Sequence, residues 1–143
     1  MERKKQDKRL TKDCNLTDMH ILVAEDNSLN QEIVGFMLEN AGAEWTAVSD
    51  GKQAINMFEK SELGQYDAIL MDIMMPVMDG LEAARCIRSM TRPDAADIPI
   101  IAMTAKAFEE DREKAINAGM NAYLTKPLDP QQLLETIVRL CKR

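Results

Sequence analysis

Short apolar runs alternate along this chain with longer segments in which apolar residues recur every three or four positions. Continuous apolar runs are typical of strands buried on both faces, and the wider spacing is typical of amphipathic helices. The runs begin at residues 20, 43, 67, 98 and 121 and read HILVA, AEWTAV, DAILMD, IPIIAMT and NAYLT. This alternation predicts an α/β fold, in which helices cover both faces of a doubly wound parallel sheet.

The predicted helices follow the strands, and most of them carry a local start or stop signal. Ser28 and Gln31 have the spacing of a capping box for the first helix. One face of that helix carries Leu29, Ile33, Phe36 and Met37. The other start signals are Asp50, Asp79 and Asp129, and the stop signals are Gly42 and Gly119. AEWTAV has fewer aliphatic residues than the other runs, so we expect the second strand near an edge of the sheet.

A polar residue or pair stands at the end of four of the predicted strands. These residues are Glu25, Asp26, Asp72, Thr104 and Lys126. Because the carboxyl ends of parallel strands meet along one edge, where ligands bind, we expect these side chains to converge. Carboxylates so close repel one another by roughly 4 kcal/mol per pair near a protein surface. The cluster therefore predicts a divalent cation, with the hydroxyl and the ammonium facing an anion such as a phosphoryl group.

The carboxylates divide into a nucleophile and cation ligands. Asp72 ends a buried strand before a loop rich in Met and Pro, and aspartate can attack phosphorus to form an acyl phosphate. Glu25 and Asp26 lie where the first strand turns into a loop, so both can reach one cation. Oxygen ligands at an open site suit Mg²⁺ or Mn²⁺, and the Asp72 carboxylate and Met74 carbonyl could complete the set. Asp26 could instead help to cap the first helix.

The remaining candidates have ordinary alternatives as well. Lys126 can neutralise phosphoryl oxygens as a point charge, and Thr104 can donate its hydroxyl to them or serve only as a strand residue. Tyr123 could exchange between buried and exposed rotamers, or it could be a half-buried strand aromatic. His20 begins the first strand and is interpreted as a surface residue without a catalytic role.

Composition describes one globular domain of 143 residues with 45% hydrophobic residues and a mean hydropathy of -0.31. No apolar run approaches the roughly 18 residues of a membrane span, and the N-terminus lacks an apolar signal core. We therefore expect a cytoplasmic protein without membrane contact. The odd number of cysteines and their spacing predict reduced thiols at Cys14, Cys86 and Cys141.

Charge is distributed unevenly along the chain. The net charge is -6, although the first 20 residues carry six basic and four acidic side chains. We interpret residues 1–17 as a basic linker or extension and residues 18–143 as the folded domain. The acidic body argues against nucleic-acid binding, which requires a basic surface.

The motifs LVAEDNSLNQ, ILMDIMMPVMDG, IIAMTA and YLTKP occur in an order and spacing that resemble a known family. Over about residues 18–143 the chain resembles the receiver domain of two-component response regulators. The first motif and MDIMMPVMDG look most similar to receivers at the C-terminus of hybrid sensor histidine kinases. The resemblance implies a flavodoxin-like five-stranded sheet with the strand order 2-1-3-4-5.

The resemblance also implies roles for the site residues. Asp72 would accept phosphate from a phosphohistidine on a histidine kinase or histidine-phosphotransfer domain, with Glu25 and Asp26 holding Mg²⁺. Thr104 would be the switch hydroxyl, and Lys126 would contact the phosphoryl group before a cis bond to Pro127. Tyr123 would be the aromatic switch residue.

Further implications concern the activity of the domain. It would catalyse its own phosphorylation and dephosphorylation, change the surface made by the fourth helix, fifth strand and fifth helix, and allow a phosphorylation-dependent homodimer. Met74 and Lys106 occupy positions that tune phosphoryl lifetime in the family. The chain would belong to the cytoplasmic part of a membrane-bound hybrid kinase.

Three other readings share parts of this pattern. A phosphohydrolase with an aspartate nucleophile typically needs a second aspartate two residues later, where this chain has Met74. A flavin carrier of the same fold needs a hydroxyl- and Gly-rich phosphate loop in place of EDNSLN. A binding module of the same fold without phosphotransfer is the third alternative, although every residue of the site is present.

Overall fold

The computed structural model of the protein describes residues 15–106 and 108–141. Most of the predicted linker at residues 1–17 lies outside this part of the chain, as do Cys14, Lys142 and Arg143. The strands are β1 (His20–Ala24), β2 (Glu44–Val48), β3 (Ala68–Asp72), β4 (Ile100–Thr104) and β5 (Ala122–Thr125). The α-helices are α1 (Ser28–Asn40), α2 (Gly51–Lys60), α3 (Gly80–Arg88), α4 (Glu109–Asn117) and α5 (Pro130–Leu140).

The described strands form one parallel sheet in the order β2-β1-β3-β4-β5. This is the predicted fold class, and β2 lies at the predicted edge. Side chains of β1 alternate between two cores, with Leu22 on one face and Val23 on the other. Helices α2, α3 and α4 cover the first face, and α1 and α5 cover the second.

The helix caps follow the sequence with one exception. Asp50, Asp79 and Asp129 cap α2, α3 and α5, each accepting a hydrogen bond from a backbone N–H of the first turn. The predicted capping box at Ser28 and Gln31 is wrong, because Asn27 is the N-cap of α1 and accepts from the Asn30 N–H. Asparagine caps as well as serine does, so the signal lay one residue earlier.

The face of α1 that carries Leu29, Ile33 and Phe36 lies outside the core. These three side chains are exposed, whereas Val34 and Leu38 are buried against the sheet. A surface helix normally buries its apolar stripe. Helix α1 therefore has a second apolar face that the described residues do not cover.

Both ends of the described chain lie near the starts of the strands. Leu16 is fully buried, and its N–H donates to the carbonyl of Ala41 at the end of α1. At the other end, the thiol of Cys141 lies 3.4 Å from the carbonyl oxygen of Asp67, just before β3. We call this side of the sheet the amino edge, and the opposite side the carboxyl edge.

Candidate functional site

Four strands deliver polar side chains to the carboxyl edge. Asp72 and Thr104 are the last residues of β3 and β4, and they are 4% and 2% exposed. Glu25 follows β1 directly and is 1% exposed, while its neighbour Asp26 is exposed. Lys126 follows β5, and its N–H donates to the carbonyl of Thr104 at 2.7 Å. The strand register thus places the five predicted side chains along one edge, as the sequence indicates.

Three carboxylates form a compact acidic group at this edge. Oxygen atoms of Glu25, Asp26 and Asp72 lie within 4.8 Å of one another. This donor set consists only of hard oxygen atoms, two from buried residues and one from an exposed residue. Such a set fits Mg²⁺, which is bound through carboxylates and keeps several water ligands.

Lys126 bridges two of these carboxylates. Its Nζ donates to Glu25 Oε1 at 2.6 Å and to Asp72 Oδ2 at 2.9 Å. The bond between Lys126 and Pro127 is cis, as the resemblance implies. With one ammonium beside three carboxylates, the acidic group keeps a net negative charge that a further cation could balance.

The pKa values of the two buried carboxyls move in opposite directions. Burial raises the pKa of Asp72, the negative charge of Glu25 raises it further, and Lys126 only partly offsets both effects. Burial also acts to raise the pKa of Glu25, but hydrogen bonds from Lys126 and the Asn27 N–H outweigh it and lower the pKa. Burial acts to lower the pKa of Lys126, yet the hydrogen bonds to Asp72 and Glu25 raise it. The lysine therefore stays charged beside a Glu25 carboxylate.

Thr104 and Tyr123 both contact the segment that follows β4. The Thr104 hydroxyl accepts a hydrogen bond of 3.2 Å from the Lys106 N–H. Tyr123, on β5, donates its hydroxyl to the Lys106 carbonyl. Burial raises the pKa of the Tyr123 phenol. The Tyr123 hydroxyl and the Thr104 hydroxyl thus both bind the backbone of Lys106.

Sequence reasoning missed two residues that shape this edge. Gln31, predicted as part of a cap, donates its side-chain amide to the carbonyls of Glu25 and Val48 at 2.6 and 3.2 Å. It thereby ties the end of β1 to the end of β2. Gly80 approaches the backbone of Asp72 so closely that a Cβ there would lie 2.3 Å from the Asp72 carbonyl oxygen. The only available signal was the glycine itself, which directly follows the predicted cap Asp79.

A groove joins the acidic group to the exposed face of α1. Its lining includes the charged residues Glu25 and Lys126 and the apolar residues Ile33, Met37 and Leu128, around a volume of about 110 Å³. The groove therefore connects the charged residues of the site with the exposed apolar face of α1.

Comparison with known proteins finds related sequences and the same fold elsewhere. The profile of the response regulator receiver domain matches residues 21–138. The hybrid signal transduction histidine kinase I of Dictyostelium discoideum is 43% identical over 125 residues, which cover 85% of this chain and 7% of that kinase. The sensor protein GacS of Pseudomonas syringae is 35% identical over 120 residues, covering 83% of this chain and 13% of GacS. The chain thus spans only a small part of these curated relatives.

Two solved structures are informative. The receiver domain of the sensor histidine kinase PA1611 from Pseudomonas aeruginosa, with a magnesium ion in its active-site cleft, is 42% identical. The alignment has a TM-score of 0.78 and covers 87% of this chain and 98% of that domain. The receiver domain of Ssk1, crystallised with the histidine phosphotransfer protein Ypd1 of Saccharomyces cerevisiae, is 29% identical. Its TM-score is 0.76, with 87% of this chain and 90% of that chain covered.

Proposed function

The chain belongs to the response regulator receiver domain family, which receives phosphate in two-component phosphorelays, and from this we propose that Asp72 is its phosphoacceptor. A carboxylate oxygen of Asp72 would attack the phosphorus of a phosphohistidine, forming an O–P bond as the N–P bond breaks. The histidine nitrogen keeps the electron pair of that bond. The observation that carries the proposal is the position of Asp72, recessed and beside the only ammonium that contacts the acidic group among the described residues.

Mg²⁺ is the proposed cofactor, with Mn²⁺ as a substitute. Glu25, Asp26 and Asp72 would hold the ion, and the Met74 carbonyl would be a further ligand. When bound, the ion neutralises the charge that develops on the transferred phosphoryl oxygens. The magnesium in the PA1611 receiver domain supports this proposal.

The roles of the remaining residues follow from charge and position. Lys126 would move its hydrogen bonds from the carboxylates to a phosphoryl oxygen, and Thr104 would donate its hydroxyl to another. Lys106 would follow Thr104, because its N–H already binds that hydroxyl. Tyr123 would then lose or change its contact with the Lys106 carbonyl, which makes it the proposed aromatic switch residue.

The proposed partner is a protein that carries a phosphohistidine, either a histidine kinase or a histidine-phosphotransfer protein. The complex of Ypd1 with the Ssk1 receiver domain supports this choice. The exposed apolar face of α1 supports it as well, because the groove at Lys126 connects that face to the acidic group.

We propose that residues 18–143 act as the receiver domain of a larger hybrid kinase, with residues 1–17 as the connecting segment. Among residues 15–106 and 108–141, we find no helix with the length and hydropathy of a membrane span.

Labelling by a small phosphodonor tests the acceptor. The protein is incubated with acetyl phosphate and Mg²⁺, and the product is resolved on a phosphate-affinity gel. We expect the wild-type chain to be labelled, Asp72→Asn to remain unlabelled, and chelation of Mg²⁺ to stop labelling. Asp97→Asn is the matched control, because Asp97 is an exposed aspartate near the amino edge. Labelling of Asp72→Asn at the wild-type level would discard the assignment, and an unlabelled wild-type chain would favour the binding module.

A further inference from the structure

The two acidic residues after β1 are neighbours in sequence, yet both belong to the acidic group. On a regular strand, the side chains of neighbouring residues point to opposite faces. Carboxylate oxygens of Glu25 and Asp26 nevertheless lie, together with one of Asp72, within 4.8 Å of one another. Asp26 lies in a bend of the chain. The directions of the two carboxylates therefore depend on how the backbone between them is held.

The peptide group that joins Glu25 to Asp26 controls these directions. This group is planar, and its carbonyl oxygen is that of Glu25, so rotation of the group turns the two side chains relative to each other. The pairing of β1 with β2 and β3 ends at Ala24, one residue earlier. The Glu25 carbonyl thus lies beyond the paired residues of the strand, and a side chain holds it instead.

That side chain is Gln31, in the first turn of α1. Its Nε2 donates to the Glu25 carbonyl at 2.6 Å and to the Val48 carbonyl at 3.2 Å. The Val48 carbonyl also accepts a hydrogen bond of 3.0 Å from the Glu25 N–H. Both N–H groups of one amide are therefore used on two strand ends, which fixes the peptide group before Asp26 relative to β2.

Backbone contacts at the start of α1 hold Gln31 in turn. The Gln31 N–H donates to the carbonyl of Asn27, the N-cap of the helix, at 3.0 Å. The Asn27 N–H donates to Glu25 Oε2 at 3.1 Å. The helix cap, the glutamine and Glu25 thus form one closed set of hydrogen bonds around the turn between β1 and α1.

Loss of the Gln31 amide would release one side of this turn. Glu25 is 1% exposed, so its carbonyl would be buried without this donor, which is unfavourable. Rotation of the peptide group toward water would relieve the loss, but it would also turn Asp26 away from the acidic group. Gln31 donates to backbone carbonyls rather than to the carboxylates, so it acts on them through the turn.

We infer that Gln31 is a positioning residue for the metal, because it sets the directions of Glu25 and Asp26 and thereby the affinity of the acidic group for a divalent cation. The inference rests on the proposed function and goes beyond it by assigning part of this affinity to a residue that is not a ligand. Residues that orient metal ligands typically change the affinity about 10- to 100-fold when they are replaced.

Binding of Mn²⁺ measures this effect directly. The electron paramagnetic resonance signal of the free aqueous ion falls as the ion binds to the protein, and Mg²⁺ is added as a competitor. The dissociation constant is compared for the wild-type chain, Gln31→Met, Gln31→Asn and Asp26→Asn. Methionine has a similar length without a donor, and asparagine keeps the amide on a side chain that is shorter by one methylene. Asp26→Asn reports the loss of a proposed ligand.

Gln53→Met is the matched control. Gln53 lies in the first turn of α2, and its Oε1 accepts a hydrogen bond of 2.8 Å from the Ser49 N–H, just after β2. It therefore also binds the backbone at a strand end, but at a residue outside the acidic group. Urea unfolding in chelator compares the stability that the two methionine variants lose.

We expect Gln31→Met and Gln31→Asn to raise the dissociation constant for Mn²⁺ about tenfold, and Gln53→Met to leave it within about twofold of wild type. Labelling of the Gln31 variants by acetyl phosphate should require about tenfold more Mg²⁺ to reach half of its maximal rate. The maximal rate itself should stay near wild type, because Lys126 keeps its contact with Asp72.

Other results count against the inference. Wild-type affinity in both Gln31 variants would overturn it, and so would an equal loss of affinity in Gln53→Met. A lower maximal rate with an unchanged Mg²⁺ requirement would also overturn it, because Gln31 would then act on the acceptor rather than on the metal. If Asp26→Asn binds Mn²⁺ as tightly as the wild-type chain, the proposed metal site itself fails.

Discussion

The two edges of the sheet both carry charged groups, but they use them in opposite ways. At the amino edge, Arg92 binds both oxygens of Asp94, at 2.6 and 3.0 Å, and stacks on Phe58 with its guanidinium carbon 4.3 Å from the ring centre. Arg88 donates to the carbonyls of Gly119 and Ala95. At the carboxyl edge, three carboxylates lie together, and the ammonium of Lys126 binds two of them.

The difference separates structural charge from functional charge. Both arginines at the amino edge donate hydrogen bonds to groups that the fold already holds in place. A ligand that bound these arginines would have to break those bonds. The acidic group at the carboxyl edge has more negative charge than its lysine can balance, and like charges held together are unfavourable without a cation. The site is therefore distinguished by an excess of negative charge at a recessed position, and not by the number of its charged residues.

Among the substitutions that test this difference between the two edges, removal of the Lys126 side chain should have the largest effect. Lys126→Met deletes the ammonium that binds Glu25 and Asp72 and that is proposed to hold the phosphoryl group. We expect the rate of labelling by acetyl phosphate to fall roughly 100-fold or more, as for loss of one transition-state donor. Lys114→Met, at an exposed lysine of α4, is the control. A rate within threefold of wild type would mean that the lysine only balances charge in the resting protein.

Arg92 provides the matching test at the amino edge. Its guanidinium also donates to the carbonyl of Glu62 at 3.1 Å, just after α2. Arg92→Ala should lower the free energy of unfolding by roughly 2–3 kcal/mol, because several backbone and carboxylate acceptors lose a charged donor. Urea unfolding measures this change, and the exposed residue Arg85 supplies the control Arg85→Ala. Labelling of the folded variant should match wild type; a slower rate would show that the two edges are coupled.

A smaller effect is expected from Asp26, the exposed member of the acidic group. Asp26→Asn removes one of the repelling charges, so the metal-free protein should gain about 0.5–1 kcal/mol of stability. Mg²⁺ should stabilise the variant less than it stabilises wild type, because a ligand is lost. Urea unfolding in chelator and in Mg²⁺ separates the two effects. Equal stabilisation of both proteins by Mg²⁺ would place the ion elsewhere.

The smallest effect is expected at His20, the single histidine of the chain. Its Nε2 lies 2.7 Å from the Thr46 hydroxyl, and its ring meets Tyr66 edge to face. His20→Gln keeps a side chain that can bind Thr46, so stability should change by less than about 1 kcal/mol and labelling should not change. Any loss of labelling would contradict the conclusion that the charged and polar groups of the amino edge only stabilise the fold.

Much of the fold and site could be predicted because two simple rules apply to this chain. Buried parallel strands such as β3 are continuous apolar runs, so Asp72 is recognisable as the polar residue that ends one. The geometry of parallel sheets then brings Glu25 and Lys126 to the same edge, although 101 positions separate them in sequence.

Other features could not be predicted because they depend on packing or on the backbone. Leu29 and Ile33 have helical spacing, but only the sheet decides that α1 buries Val34 in their place. The side chain of Gln31 suits a cap as well as it suits the carbonyls at two strand ends. Valine gives no signal for a positive φ, yet the φ of Val77 is +66°, in a loop that backbone hydrogen bonds from Gly51 and Gly80 hold in place.

Burial of Leu16 against the end of α1, together with Cys141 beside Asp67, has a practical meaning for any larger assembly. Polypeptide that enters the domain before Leu16 or leaves it after Cys141 would therefore lie on the side of the domain that faces away from Asp72. Fusion partners and surface immobilisation can therefore be placed there while incoming proteins keep an unobstructed route to the aspartate.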